Sequence, residues 1–158
     1  MTSSTTTDKS GCRLSCDFEI LRHSSLFSGI NHDVVKLIAY LCQHRTYRAG
    51  DQLIKQNKTA NKAFLLVKGN VEITFLHKDR EFPLQSIDAG SFFGELALLA
   101  EFKWFFNARA ISDVEVLTID KKALQKVIEK FPNHREKLIE RIVKMRIDRL
   151  VNQTEFLI

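Results

Sequence analysis

Nowhere in its 158 residues does the chain stay apolar for the roughly 20 positions a membrane-spanning helix needs, so no membrane insertion is expected. Cysteine is scarce: Cys12, Cys16 and Cys42 suit reduced thiols better than a disulfide framework. The Cys12/Cys16 pair has no further Cys or His close by, and the five histidines at 23, 32, 44, 77 and 134 stand singly, so no metal site is expected. The signatures of catalysis are missing too. There is no nucleotide-hydrolysis P-loop, no H-E-x-x-H and no G-x-S-x-G, so no catalytic residue is assigned and the chain is not expected to be an enzyme. Basic and aromatic residues are not interleaved as an RNA-binding surface would have them. The start, M-T-S-S-T-T-T-D-K-S, has no apolar stretch of the secretory kind, and a cytoplasmic location is the expectation.

What is present is ordinary for a globular chain: 44% hydrophobic and 27% charged residues, in a length that suits one domain with a sizeable core. The net charge of +5 suits an anionic ligand, an acidic partner or nucleic acid without choosing among them.

The hydrophobic period changes twice along the chain. Residues 1–16 are Ser/Thr-rich and aperiodic at their start, which predicts a disordered tail. From 17 to 44 the spacing is helical, with Asp17 and Asn31 placed as caps and Val34, Leu37, Ile38 and Leu41 in one stripe. From 45 to 119 short apolar runs alternate between glycine-marked turns. V-E-I-T-F places Val71, Ile73 and Phe75 on one face, K-G-N at 68–70 reads as a tight hairpin, and H-K-D-R at 77–80 as another turn. That spacing predicts a small barrel or jelly roll. From 120 to 151 helical period returns, with Asp120 as a cap and Pro132 in a first turn. Ile139, Val143, Ile147 and Leu150 line one face of the last helix, widened by Leu138, Ile142 and Met145. One side of that helix is expected on the barrel, and the rest faces either the same chain or a partner helix. Residues 152–158 are left as a C-terminal tail.

One stretch carries chemistry. F-F-G-E-L-A-L-L at 92–99 opens a short apolar helix whose first N–H groups are unpaired, an arrangement that attracts anions. Gly94 lets a ligand approach the backbone. Glu95 repels a phosphate, yet would accept a hydrogen bond from a hydroxyl beside it; alone, it is equally a favourable acid in a first turn.

Together with A-G-D at 49–51, K-G-N-V-E-I at 68–73 and the two closing helices, this stretch resembles the cyclic nucleotide-binding domain family over about residues 18–143. The family includes the regulatory subunits of cAMP-dependent kinase, cyclic nucleotide-gated channels and catabolite activators. The resemblance implies a mostly β fold with flanking α helices, a β jelly roll (double-stranded β-helix) holding a phosphate-binding cassette. It implies that Gly94, Leu96 and Ala97 hold the cyclic phosphate, that Glu95 holds the ribose 2′-hydroxyl, and that Val71 helps line the base pocket. The helix at 133–151 would move as a lid or form a homodimer. Catabolite activators carry a helix-turn-helix after this helix; few residues follow Val151, and no nucleic acid partner is expected.

The cassette departs from the family nine residues past Glu95. A phosphate-binding arginine, flanked by proline and small residues, is replaced by Lys103, Trp104, Phe105 and Phe106. Loss of a forked, charged contact to a desolvated phosphate costs roughly 2–5 kcal/mol, about 30-fold to several-thousand-fold in affinity. Lys103 is close enough in sequence to replace the charge, while Arg109 matches a position of structural role. Trp104, Phe105 and Phe106 either fill the cavity, line a site for a flatter ligand, or form a partner patch. The tail F-L-I at 156–158 is a further candidate to enter the pocket. The chain is therefore expected to be a sensor or regulatory domain that binds cAMP, cGMP or a related small anion, with no other cofactor, and signals through its C-terminal helix. The alternative is a ligand-independent interaction module in which Trp104 has replaced the cassette arginine.

Overall fold

The computed structural model describes residues 11–157, with side chains described for 13–152. Two helices come first, α1 (Gly11–Arg22) and α2 (His32–Leu41). Ten strands follow: β1 (Gln43–Tyr47), β2 (Gln52–Ile54), β3 (Thr59–Ala60), β4 (Lys62–Lys68), β5 (Asn70–His77), β6 (Arg80–Asp88), β7 (Phe92–Phe93), β8 (Phe102–Lys103), β9 (Asn107–Ala110) and β10 (Val114–Asp120). A 3-10 turn, Glu95–Leu98, interrupts them, and α3 (Lys121–Lys130), a second 3-10 turn (Pro132–His134) and α4 (Arg135–Leu157) close the chain.

The strands form two four-stranded antiparallel sheets, β1-β10-β4-β7 and β2-β9-β5-β6, with β3-β8 as a separate pair. The expected jelly roll with flanking helices is the fold. Its two cores follow from strand alternation. Phe64, Leu66, Val114 and Val116 point between the sheets, while Ala63, Leu65, Leu117 and Ile119 point outward under the helices. The first sheet is thus buried on both faces, which is why β4 and β10 read as nearly continuous apolar runs. The second sheet meets solvent on its outer face, and its edge strand β6 is mostly exposed and tolerates Pro83.

Caps set the helices. Asn31 Oδ1 accepts from the Asp33 N–H at 2.8 Å, and Asp120 Oδ1 from the Ala123 N–H at 2.7 Å, at the starts of α2 and α3. The outer boundaries differ from the sequence reading. α1 begins at Gly11, inside the expected tail, so Asp17 is buried in mid-helix and is not a cap. Residues 1–10 of that tail lie outside the described residues. At the other end α4 runs through Leu157, past the expected boundary at 151.

One turn reading and one alternation are also corrected, while the turn expected at 77–80 is present. Gly69 does not close a hairpin, because β4 and β5 lie in different sheets; it carries the chain from one to the other. Its φ of 94° and the Asp113 carbonyl oxygen, 2.5 Å from where a Cβ would stand, leave room for glycine alone. The real hairpin is β5–β6, turned by Lys78 and Asp79, both at positive φ as a type I′ turn requires. A bulge between Ile73 and Thr74 breaks the expected alternation, so Thr74 is buried and Phe75 is not. Opposite it, Leu84 is the extra residue of β6.

Candidate functional site

Strand β7 enters the roll with Phe93 stacked on Phe64, ring centroids 5.0 Å apart, and delivers Gly94 in the left-handed region at φ 73°. The Glu95–Leu98 turn follows at once. Its Ala97 N–H is already spent on the Gly94 carbonyl at 3.1 Å, so a single 3-10 turn has few free donors. Glu95, 2% exposed, forms one wall of a cavity of about 490 Å³.

Four aromatic side chains make the facing wall. Phe102, Trp104, Phe106 and Phe105 form an edge-to-face chain, with successive ring centroids 5.5, 5.4 and 5.0 Å apart. The backbone aims them. Asn57 N–H donates to the Trp104 carbonyl and Trp104 N–H to the Lys58 carbonyl, both at 2.8 Å, extending the β3–β8 ladder. Along that extended segment side chains alternate, so Phe102 and Trp104 turn inward and Lys103 outward. The indole lies against Gly94: a Cβ there would stand 2.8 Å from Trp104 Cη2 and 3.3 Å from Cζ3.

The third wall comes from α4. Its first half is fastened to the loop after α1: the Arg141 Nη1 donates to the Ser25 carbonyl at 3.2 Å, its Nη2 to the Ser28 carbonyl, and Lys137 Nζ to the Gly29 carbonyl at 3.4 Å. Leu138 and Ile142 are buried beneath it. The helix then passes over the cavity, presenting Arg146 and Arg149. Arg149 Nη1 donates to both carboxylate oxygens of Glu95, at 3.1 and 3.2 Å, across 54 positions of sequence. The guanidinium side chain is 20% exposed and the carboxylate 2%, so the pair is partly shielded from solvent.

Of the residues singled out from sequence, Gly94, Glu95, Leu96, Trp104 and Phe105 meet at the cavity. Ala97 is buried beside it, Val71 is fully buried in the roll interior, and Lys103 is exposed on the outer side; none of these three is among the cavity-lining residues. Arg109 pairs with Glu81 at 3.8 Å on the outer face of the second sheet. Sequence reasoning missed Arg146 and Arg149, whose three-residue spacing on one helix face is the only local signal. It also missed Gln85 and the bulged Leu84 on β6, which line the cavity mouth. The side chains of 156–158 lie outside the described residues. No helix among the described residues is long and apolar enough to cross a membrane.

The family model described as "Cyclic nucleotide-binding domain" matches residues 44–131. The cGMP-dependent protein kinase isozyme 1 of Drosophila melanogaster is 30% identical over 120 residues, which are 73% of this chain and 16% of that protein. This chain therefore spans less than a fifth of that relative. Among solved structures, the Thermus thermophilus catabolite activator protein is 25% identical with a TM-score of 0.69, covering 84% of this chain and 61% of that one. A cyclic nucleotide-binding domain from Methylobacillus flagellatus superposes with a TM-score of 0.78 at 15% identity, over 90% of this chain and 80% of that one, a likeness of fold.

Proposed function

The chain belongs to the cyclic nucleotide-binding domain family, and from that premise we propose that it is a sensor domain whose cavity takes cAMP, cGMP or a related small anionic ligand and reports occupancy through α4. The observation that carries the reading is the Glu95–Arg149 pair. It puts a buried carboxylate in an otherwise apolar wall and ties α4 to it. A carboxylate without a partner there would be costly, and Arg149 supplies that partner. A ligand hydroxyl that engages Glu95 competes with that tie, and an anion held by the remaining N–H groups of Arg149 adds a contact to α4; either shifts the population of α4 positions. The cavity size is in the range of small-molecule sites.

Titration with cAMP and with cGMP tests this, followed by calorimetry and by the emission of Trp104, the single tryptophan of the sequence and part of the cavity wall. Saturable heat with a change in emission supports the reading. Silence in both at millimolar ligand removes cyclic nucleotides from it.

A second reading has an observation of its own. The indole against Gly94 occupies the approach to the cassette backbone, as it would in an interaction module that needs no ligand. The partner surface in either reading is the outward row Val143, Ile147, Leu150 and Val151 of α4, each about half exposed. A second copy of this helix, or a helix of another protein, would cover it.

A further inference from the structure

We propose that the cavity selects a flat, apolar-bodied monoanion, an aryl carboxylate or its like, whose charge is held by Arg146 and Arg149 on α4 and not by the Gly94 turn. The inference rests on the cavity being a ligand site and narrows what it accepts.

Sterics come first. The six-membered ring of Trp104 lies on Gly94, and the Lys62 carbonyl oxygen stands 3.5 Å from where a Cβ would be. An anion has no room there, and the carbonyl would repel it. Charge comes next. The titratable side chains on the cavity wall are Glu95, Arg146 and Arg149, a net charge of +1 from two cations and one anion. Arg149 meets Glu95 through Nη1, leaving its other N–H groups available. Arg146 makes no hydrogen bond or ion pair among the described residues. One added negative charge balances the site; a second would be buried without a partner.

The rest of the wall decides the body. Ile73, Leu84, Ile87 and Phe93 line the cavity with the Phe102–Trp104–Phe106–Phe105 chain, and apart from the Trp104 indole N–H the uncharged polar side chain on the lining is Gln85. A purine with a ribose brings many donors and acceptors, and each one buried here without a partner counts against binding. An aromatic body brings few and stacks on rings already arranged edge to face.

The test is calorimetric titration of the protein with 2-naphthoate, its neutral isostere 2-naphthamide, cAMP and cGMP, repeated on Arg146→Gln. That substitution removes a charge whose side chain has no partner among the described residues, and thermal unfolding checks that the variant remains folded. The expected result is saturable binding of 2-naphthoate, tighter than either cyclic nucleotide and than 2-naphthamide, and weakened about tenfold to a hundredfold by Arg146→Gln. Equal binding of acid and amide, or no effect of Arg146→Gln, would mean adventitious apolar binding and overturn the proposal. Tighter binding of cAMP or cGMP overturns it too, while sustaining the wider sensor reading. Silence from all four ligands overturns both and leaves the interaction module.

Discussion

Trp104 and Gly94 constrain each other. A glycine at φ 73° already suits no L side chain well, and here the indole closes the space a methyl group would take. Gly94→Ala is therefore expected to destabilise the domain by about 1–3 kcal/mol, through backbone strain and overpacking together. Chemical denaturation would measure it. In a Trp104→Phe background the smaller ring retreats and the penalty of Gly94→Ala should shrink; an unchanged penalty would show that the backbone alone sets it. The same pair explains Lys103. It is next to Trp104 in sequence, but strand alternation sends it to the opposite, exposed face.

Among the elements, α4 is the one that brings two guanidinium groups to the cavity. Arg141 and Lys137 hold its first half to backbone carbonyls, whereas its second half is tied to the cavity by Arg149 on Glu95. Arg149→Ala leaves a carboxylate that is 2% exposed without its cation, at a cost of about 1–3 kcal/mol, reduced from the fully buried case because Arg149 itself reaches solvent. Amide hydrogen exchange should show the loss as faster exchange in α4 after Arg146, with its start unchanged. Adding Glu95→Gln removes the stranded charge, so the double variant should be more stable than Arg149→Ala alone. A double variant no more stable than Arg149→Ala would mean that the pair does not anchor the helix.

For the molecule as a whole, the two-sided burial of one sheet settles which faces remain open. Helices α1 to α3 and the first half of α4 cover its outer side, and the roll interior covers the other. Among the described residues, α4 leaves one exposed apolar row, Val143, Ile147, Leu150 and Val151. If a second copy covers it, sedimentation velocity should show a concentration-dependent dimer, and Ile147→Glu should shift it toward monomer with thermal stability of the monomer within about 0.5 kcal/mol of the parent. A monomer at all concentrations leaves that face to another protein.

Much of this was legible in the chain itself. Period-2 runs, period-3.6 stripes and the caps Asn31 and Asp120 are local properties, so the jelly roll with flanking helices could be read before any coordinates, as could the divergence at 103–106. Folding decided the rest. Which face of α4 is inner, where Gly69 leads and where Leu84 bulges depend on partners distant in sequence. The cavity's charges show this most clearly. Glu95 stood out in the G-E-L-A motif, but Arg149 lies 54 residues away and carries no motif of its own. Sequence determined that Glu95 follows Gly94 and that Trp104 stands where the resemblance would place an arginine. Tertiary structure alone decided that α4 brings the Arg149 guanidinium to Glu95 while the indole covers Gly94, because contact between distant segments is a property of packing and not of local pattern.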